Sequence, residues 1–342
     1  MGRVNNESKT IFVSPKEMEN KFVEILLKSG MEKEKAEKCS EIFAQNSVDG
    51  IYSHGVNRFV RFTDYIAKKY INVNSEPELV HKSGGIEQWN GNLGAGPLNA
   101  LFSAKRAMEL ADKNSIGCVA LSNTNHWMRG GYYGWKAAKE GYAFISWTNT
   151  IAIMPAWGAK DSRLGNNPIV FAVPFKNEAI VLDMAVSQFS YGTMENHARS
   201  GKKLPVYGGY NTNGMLTDNA SEILETRRPL PVGYWKGAGL SLLLDILASV
   251  LSGGLATSDI DKQPREFGVS QVFIAIALQK LGNSSSIPVM INKIVEDMLL
   301  SEPADKGSEI FYPGMKVLRT RNENLKKGIP VEKSVWDEIL KL

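Results

Sequence analysis

Apolar positions recur at helical spacing near both ends of the chain and at strand spacing between them. Ser14-Pro15-Lys16-Glu17 unites a helix cap, a proline at the first helical position and a glutamate three residues after the cap. Phe22, Ile25, Leu26 and Leu27 continue an apolar face that Gly30 stops. A second helix is predicted from about Glu32, with Ala36, Cys39 and Phe43 on one side. A third is predicted over residues 54–70, with Phe59, Phe62 and Ile66 inward. The pattern changes near Asn74. Residues 79–82 and 86–89 predict a hairpin around Gly84-Gly85. An amphipathic helix over 98–113, a buried strand over 117–121 and a short helix over 133–140 follow. Strands are predicted over 143–147, 169–174 and 180–184. From Lys236 the pattern turns helical again. Residues 240–251 are almost wholly apolar, end at Gly253-Gly254 and predict a helix buried on most sides. Residues 269–281 and 287–300 predict two more helices, and Val335, Trp336, Ile339 and Leu340 a last one.

This pattern divides the chain into a mobile extension over 1–12, a helical domain from 13–74 plus 236–342, and an inserted α/β domain over 75–235. The length of 342 residues suits two or three domains, and 43% hydrophobic with 22% charged residues excludes a disordered chain. No uninterrupted run of about 18 apolar residues is present, so no membrane span is expected. The polar start MGRVNNESKT lacks the apolar core of a secretory signal. A cytoplasmic protein is expected, with Cys39 and Cys118 as reduced buried thiols rather than metal ligands. Forty Lys+Arg against 36 Asp+Glu give a net charge of +4. The basic residues are scattered, which suits a small anionic ligand and not a nucleic acid.

Absent motifs narrow the chemistry. There is no G-x-G-x-x-G, since Gly91, Gly94 and Gly96 have the wrong spacing, and no P-loop, G-x-S-x-G or H-E-x-x-H. The four histidines are His54, His81, His126 and His197. His54 and Arg58 are four apart and share a face if a helix starts there. Arg58 would hold a carboxylate by paired hydrogen bonds, and His54 would exchange a proton with an oxygen on the adjacent carbon. The bland alternative is a capping histidine and a surface arginine. His126 follows a buried strand in SNTNHWMRGG, where His, Arg and two Asn within seven residues suit an oxyanion; a polar turn is the alternative. His81 reads as structural and His197 as a solvated helix residue. Asn149 ends a strand and offers an amide donor. Asp183 ends the apolar strand Ile180-Val181-Leu182, as a ribose ligand or a turn cap. Lys236 opens an apolar helix, where an anion would be welcome, or is simply exposed.

Together these stretches resemble the malate/L-lactate dehydrogenase type-2 family of NAD(P)-dependent oxidoreductases. The matching segments include GIYSHGVNRF, IEQWNG, NTNHWMRGGYYGW, WTNTIAIMPAWGAK, DMAVSQFSYG, LPVGYWKGAG, SQVFIAI and the C-terminal YPG, GIPV and SVW, spanning about residues 14 to 342. The resemblance implies an α/β fold of α+β type. It is non-Rossmann, with a largely antiparallel seven-stranded cofactor domain inserted in a helical domain formed by both chain ends. It also implies a homodimer, a nicotinamide cofactor (NADH, with NADPH possible) and no metal. The reaction implied is reduction of a 2-oxo acid to a 2-hydroxy acid. Within the family the likeness leans to conversion of 2,3-diketo-L-gulonate to 3-keto-L-gulonate, with malate, lactate, sulfolactate or ureidoglycolate as alternative substrates. A ligand-binding homologue without catalysis is the rival from another class. His54 matches the proton donor of one branch and His126 the acid/base of another; His54 is taken as the acid, with His126 as a close rival or a second polariser. Arg58 matches a position expected to hold the substrate carboxylate, and Asn149 is read as a substrate-binding hydrogen-bond donor beside it. The cofactor segments map to Ala179, Ile180, Val181, Leu182, Asp183, Met184 and Ala185, then Trp235 and Lys236, then Gly314, Met315 and Lys316. Relatives often carry an acidic residue after the C-terminal Pro-Gly. Met315 and Lys316 stand here instead, which removes repulsion of a 2′-phosphate and predicts tolerance of NADP beside NAD.

Overall fold

A computed structural model of the chain describes residues 10–342. The extension expected over 1–12 lies mostly outside them. Its last residues, however, belong to strand β1 (Thr10–Val13), which pairs antiparallel with β13 (Ile329–Glu332) and so ties the two ends of the chain together. Helix α1 (Pro15–Lys28) starts as its sequence dictates, with Ser14 accepting the Glu17 amide and Pro15 at the first position. Helices α2 (Lys33–Val48) and α3 (Val56–Ala67) follow. Phe22, Phe43 and Phe59 form a fully buried aromatic group, with Phe22 stacked on Phe59 at 3.9 Å. Ile329, Val331, Trp336 and Ile339 join this core from the C-terminal end, the last two from helix α12 (Lys333–Leu340).

The hairpin β2 (Glu78–Ser83) and β3 (Ile86–Asn90) opens a mixed α/β region. It continues through α4 (Gly96–Asn114), β4 (Ile116–Thr124), α5 (Gly130–Lys139) and β5 (Tyr142–Thr148). Two short strands, β6 (Met154–Pro155) and β7 (Ser162–Leu164), precede β8 (Ile169–Phe175) and β9 (Glu178–Met184). A small outer lobe holds α6 (Tyr191–Ser200), β10 (Gly209–Tyr210), β11 (Leu216–Thr217) and α7 (Ala220–Thr226). Then come α8 (Trp235–Ser252), α9 (Thr257–Ile260), β12 (Val269–Ala277), α10 (Ile287–Leu299) and α11 (Met315–Lys327). The main sheet has seven strands in the order β2-β3-β4-β12-β5-β8-β9, and only β3 and β4 run parallel.

Two expectations are corrected here. Residues 269–277, read as helix within a C-terminal helical unit, are β12, the central strand of the sheet. Its run VSQVFIAIA is apolar on both faces because α4 covers one side and α8 the other, so no alternation marks it as a strand. Helix α8 is not buried on most sides. Leu244 and Ala248 face the sheet, while Leu243 is 57% and Val250 70% exposed. By length and mean hydropathy (1.3) it is the one helix among the described residues apolar enough to cross a membrane, with a third of it buried.

Candidate active site

Two loops bring the histidines together. The first is a 3-10 turn, Tyr52–His54, between α2 and α3. It lies directly on α2: a Cβ on Gly55 would come 2.3 Å from Ser47 Oγ and 2.9 Å from the Ser47 amide nitrogen, so only glycine permits this approach. Ser47 Oγ accepts the Val56 amide at 2.8 Å, and Asn46 Nδ2 donates to the His54 carbonyl at 3.0 Å. The second loop leaves the end of β4. Asn125 pins it by donating from Nδ2 to the carbonyls of Tyr70, Leu93 and Gly94 at 3.1, 2.8 and 3.0 Å. The His54 and His126 rings stack at 5.6 Å between centroids, 21° from parallel.

Their hydrogen bonds differ. His126 Nδ1 accepts the Met128 amide at 3.0 Å. In its neutral form its proton therefore sits on Nε2, which becomes a donor. His54 Nδ1 meets the Ser53 hydroxyl at 2.9 Å, a partner that donates or accepts according to the state of the ring. Burial, then the charges of Arg58 and Arg129, pull the His54 imidazole down to about 4. Burial, then Arg58 and His54, hold His126 well below the ordinary histidine range. Both rings are neutral near pH 7 in the free protein.

Arg58 stands on α3 with Arg61 and Tyr65 at helical spacing, and these three join Asn125, His126 and Glu266 around one small cavity. Asn149, expected to bind substrate, is engaged elsewhere. Its Nδ2 donates to Asp245 Oδ1 at 2.9 Å and to the Leu255 carbonyl at 2.7 Å, and its Oδ1 accepts the Ser270 amide at 2.8 Å. It ties β5 to α8 and β12, with its amide fully used inside the protein.

Behind the histidines lies a charged network that sequence reasoning missed. Asp49 is 3% exposed and binds Arg129 from the second loop. It also accepts Arg321 of α11 through Nε at 2.7 Å and Nη2 at 3.0 Å. Burial pushes the Asp49 carboxyl up, but Arg321 and Arg129 outweigh it and hold the group below the usual range. Arg129 also lies 3.6 Å from Asp183. The partners come from four separate stretches, so no local spacing announces them.

The remaining predicted residues gather around the sheet edge. Residues 179–184 lie on β9, the edge strand, with Ala185 directly after it. Ala179 and Val181 face the core; Leu182 is exposed. Asp183 Oδ2 accepts the Gly131 amide at 2.8 Å and so caps α5. Crowding raises its carboxyl, although a quarter of the side chain meets solvent, while Arg129 and the Gly131 amide pull it down. The Val181 amide donates to the Pro313 carbonyl at 3.1 Å. Gly314, with φ at +97°, then turns the chain into α11; a Cβ there would sit 3.1 Å from the Trp135 ring and 3.4 Å from the Val181 nitrogen. Further along, the Val232 amide donates to the Val186 carbonyl at 2.8 Å, just before Trp235 and Lys236 open α8. Gly314 and Tyr234, which precede α11 and α8, provide no side-chain cap, and each helix carries a lysine in its first turn, Lys316 and Lys236. Of the first-turn N–H groups, those of Met315 and Lys236 donate to the Tyr312 and Gly233 carbonyls; the others, beside the two lysines, are a donor set that fits phosphate oxygens. His81 is exposed on β2, and His197 Nδ1 lies 2.9 Å from the Thr193 carbonyl on α6. Among the described residues no group of His, Cys, Asp and Glu forms a metal site.

Comparison with known proteins agrees in length and in fold. The malate/L-lactate dehydrogenase family model matches residues 13–340. The 2,3-diketo-L-gulonate reductase of Citrobacter koseri is 42% identical over 328 residues, 96% of this chain and 98% of that protein. The protein of the same name from Klebsiella pneumoniae is 43% identical over 324 residues, 94% and 97% of the two chains. Among solved structures, malate dehydrogenase from Pyrococcus horikoshii OT3 superposes with a TM-score of 0.88 at 28% identity, covering 100% of this chain and 97% of that one.

Proposed function

The chain belongs to the malate/L-lactate dehydrogenase family and is an oxidoreductase, and from that premise we propose that it reduces a 2-oxo acid to the 2-hydroxy acid, with 2,3-diketo-L-gulonate as the first substrate to test. The observation that supports this reading is the stacked pair His54 and His126 beside the half-buried Arg58. NADH or NADPH, when bound, supplies a hydride to the oxo carbon. Arg58 binds the substrate carboxylate and brings the carbonyl oxygen to the nitrogen edges of the two imidazoles. His126, locked as an Nε2–H donor, hydrogen-bonds the carbonyl oxygen as negative charge grows there. His54 gives the proton that completes the hydroxyl. The substrate carboxylate offsets the charge of Arg58, one of the causes that lower the His54 pKa, and so favours the protonated ring.

For the cofactor, the uncapped starts of α8 and α11 with Lys236 and Lys316 support a pyrophosphate site along β9, in the non-Rossmann arrangement the sequence implies. Asp183 already caps α5, so its role there is to shape the strand end. Lys316 in place of an acidic residue supports use of NADPH beside NADH. The outward leucines of α8 support a homodimer that covers them. Oxidation of NADH and NADPH with 2,3-diketo-L-gulonate, pyruvate, oxaloacetate and sulfopyruvate tests the reading. Turnover of diketogulonate is expected; preference for another acid moves the substrate within the family. Cofactor binding with no turnover of any acid would favour a ligand-binding role.

A further inference from the structure

The cavity beside the two histidines holds more acceptors than the reaction needs. Asn125 is 2% exposed, and its three bonds to carbonyls fix which end of the amide is which. That leaves its Oδ1 buried with no hydrogen-bond partner. A buried acceptor without a donor is costly to keep, so a ligand that donates to it binds more tightly. Glu266 lines the same cavity from the loop before β12. One of its oxygens takes the Ile151 amide at 3.3 Å. Its charge acts on both Arg58 and Tyr65 across the cavity, as Arg61 does from α3 and Glu195 does on Arg58 from α6. The water-accessible space is about 20 Å³, room for roughly one water. Arg61 is exposed and Glu266 half-exposed, so this side of the cavity borders solvent.

We propose that Glu266 and Asn125 Oδ1 form a hydroxyl-accepting subsite that selects polyhydroxylated monocarboxylates and rejects dicarboxylates. The inference rests on the reading that Arg58 takes the substrate's carboxylate. Hydroxyl groups on the tail then donate to two groups that only accept. A short acid such as pyruvate leaves Asn125 Oδ1 unpaired, and a second carboxylate is placed against the charge of Glu266. Arg61, with the Tyr65 hydroxyl in the same cavity, would instead welcome that second carboxylate, and the test separates the two outcomes.

The test is titration calorimetry with L-gulonate and L-malate in the presence of NADH, on the wild type and Glu266→Gln. Glutamine keeps an oxygen for the Ile151 amide, so the loop stays in place. The wild type is expected to bind L-gulonate at least about tenfold more tightly than L-malate, and the variant to bring the two within about threefold. Tighter binding of L-malate by the wild type, or an unchanged ratio in the variant, overturns the proposal. A separate assay of NADH and NADPH oxidation judges the reductase reading. Absence of turnover with intact selectivity for L-gulonate would reject that reading while supporting the subsite.

Discussion

The two histidine loops deliver the same side chain to the same place by different means. The His126 loop is a strand end held by Asn125 and by a backbone amide on the ring itself. The His54 loop is a short turn pressed onto α2, and its ring meets only a rotatable hydroxyl. Adding a proton at Nδ1 of His126 forfeits a hydrogen bond, whereas His54 loses nothing because the Ser53 hydroxyl turns to accept. On the proposed reading, one imidazole stays neutral and donates while the other changes its charge, a difference that rests on the atom each Nδ1 meets.

The sharpest way to break this contrast is to remove each ring in turn. His54→Ala is expected to lower kcat by up to about 10⁴-fold and to erase the acidic titration from the pH–rate profile. His126→Ala should lower kcat by about 10²–10³-fold and keep that titration. If His126→Ala erases it instead, the roles are exchanged. Next in size is the joint between the loops. Asp49→Asn removes the charge that binds Arg129 and Arg321, and about 3–5 kcal/mol of stability should go with it, as read from urea unfolding at pH 7. The pH dependence of stability comes third. His54 has a folded pKa of about 4 against 6.5 for the free residue. The unfolded chain therefore takes up its proton first as pH falls. Stability is full above pH 6.5 and declines down to about pH 4, by about 3 kcal/mol for this ring. Urea unfolding at pH 7 and pH 4.5 should show a smaller decline in His54→Ala; an equal decline would place the titration elsewhere. Smallest is Gly55→Ala, where the new methyl must push the turn off Ser47. A shift of about 1 Å in the His54 loop should cost about 10²-fold in kcat with the fold retained, measured alongside circular dichroism.

Local signals were readable where the physics is local. The Ser14 cap, the hairpin at Gly84-Gly85 and the helices of the first third stand as the sequence predicts. His54, Arg58 and His126 drew notice because histidine is scarce and flanked here by polar donors. What escaped was decided by distant partners. β12 has apolar residues on both faces because layers lie on both sides, and a continuous apolar run does not declare its own period. α8 was read as buried because nothing in its sequence tells a core from an uncovered face. Asn149 looked free until Asp245, Leu255 and Ser270 closed on it. The orphaned oxygen of Asn125 is visible only after Tyr70, Leu93 and Gly94 are seen to claim the other end of the amide.

The central position of β12 also sets the order of events at birth. A ribosome delivers β4 and β5 more than a hundred residues before the strand that joins them. Until residue 277 emerges, the sheet exists as two halves, β2-β3-β4 and β5-β8-β9, each presenting a bare edge. Such edges pair readily with other chains, so a stalled or shortened product ending before residue 269 is an aggregation hazard. The sheet is thus complete before α11 brings Arg321 to the Asp49 network and β13 pairs with β1, so these contacts form in that order as the chain emerges.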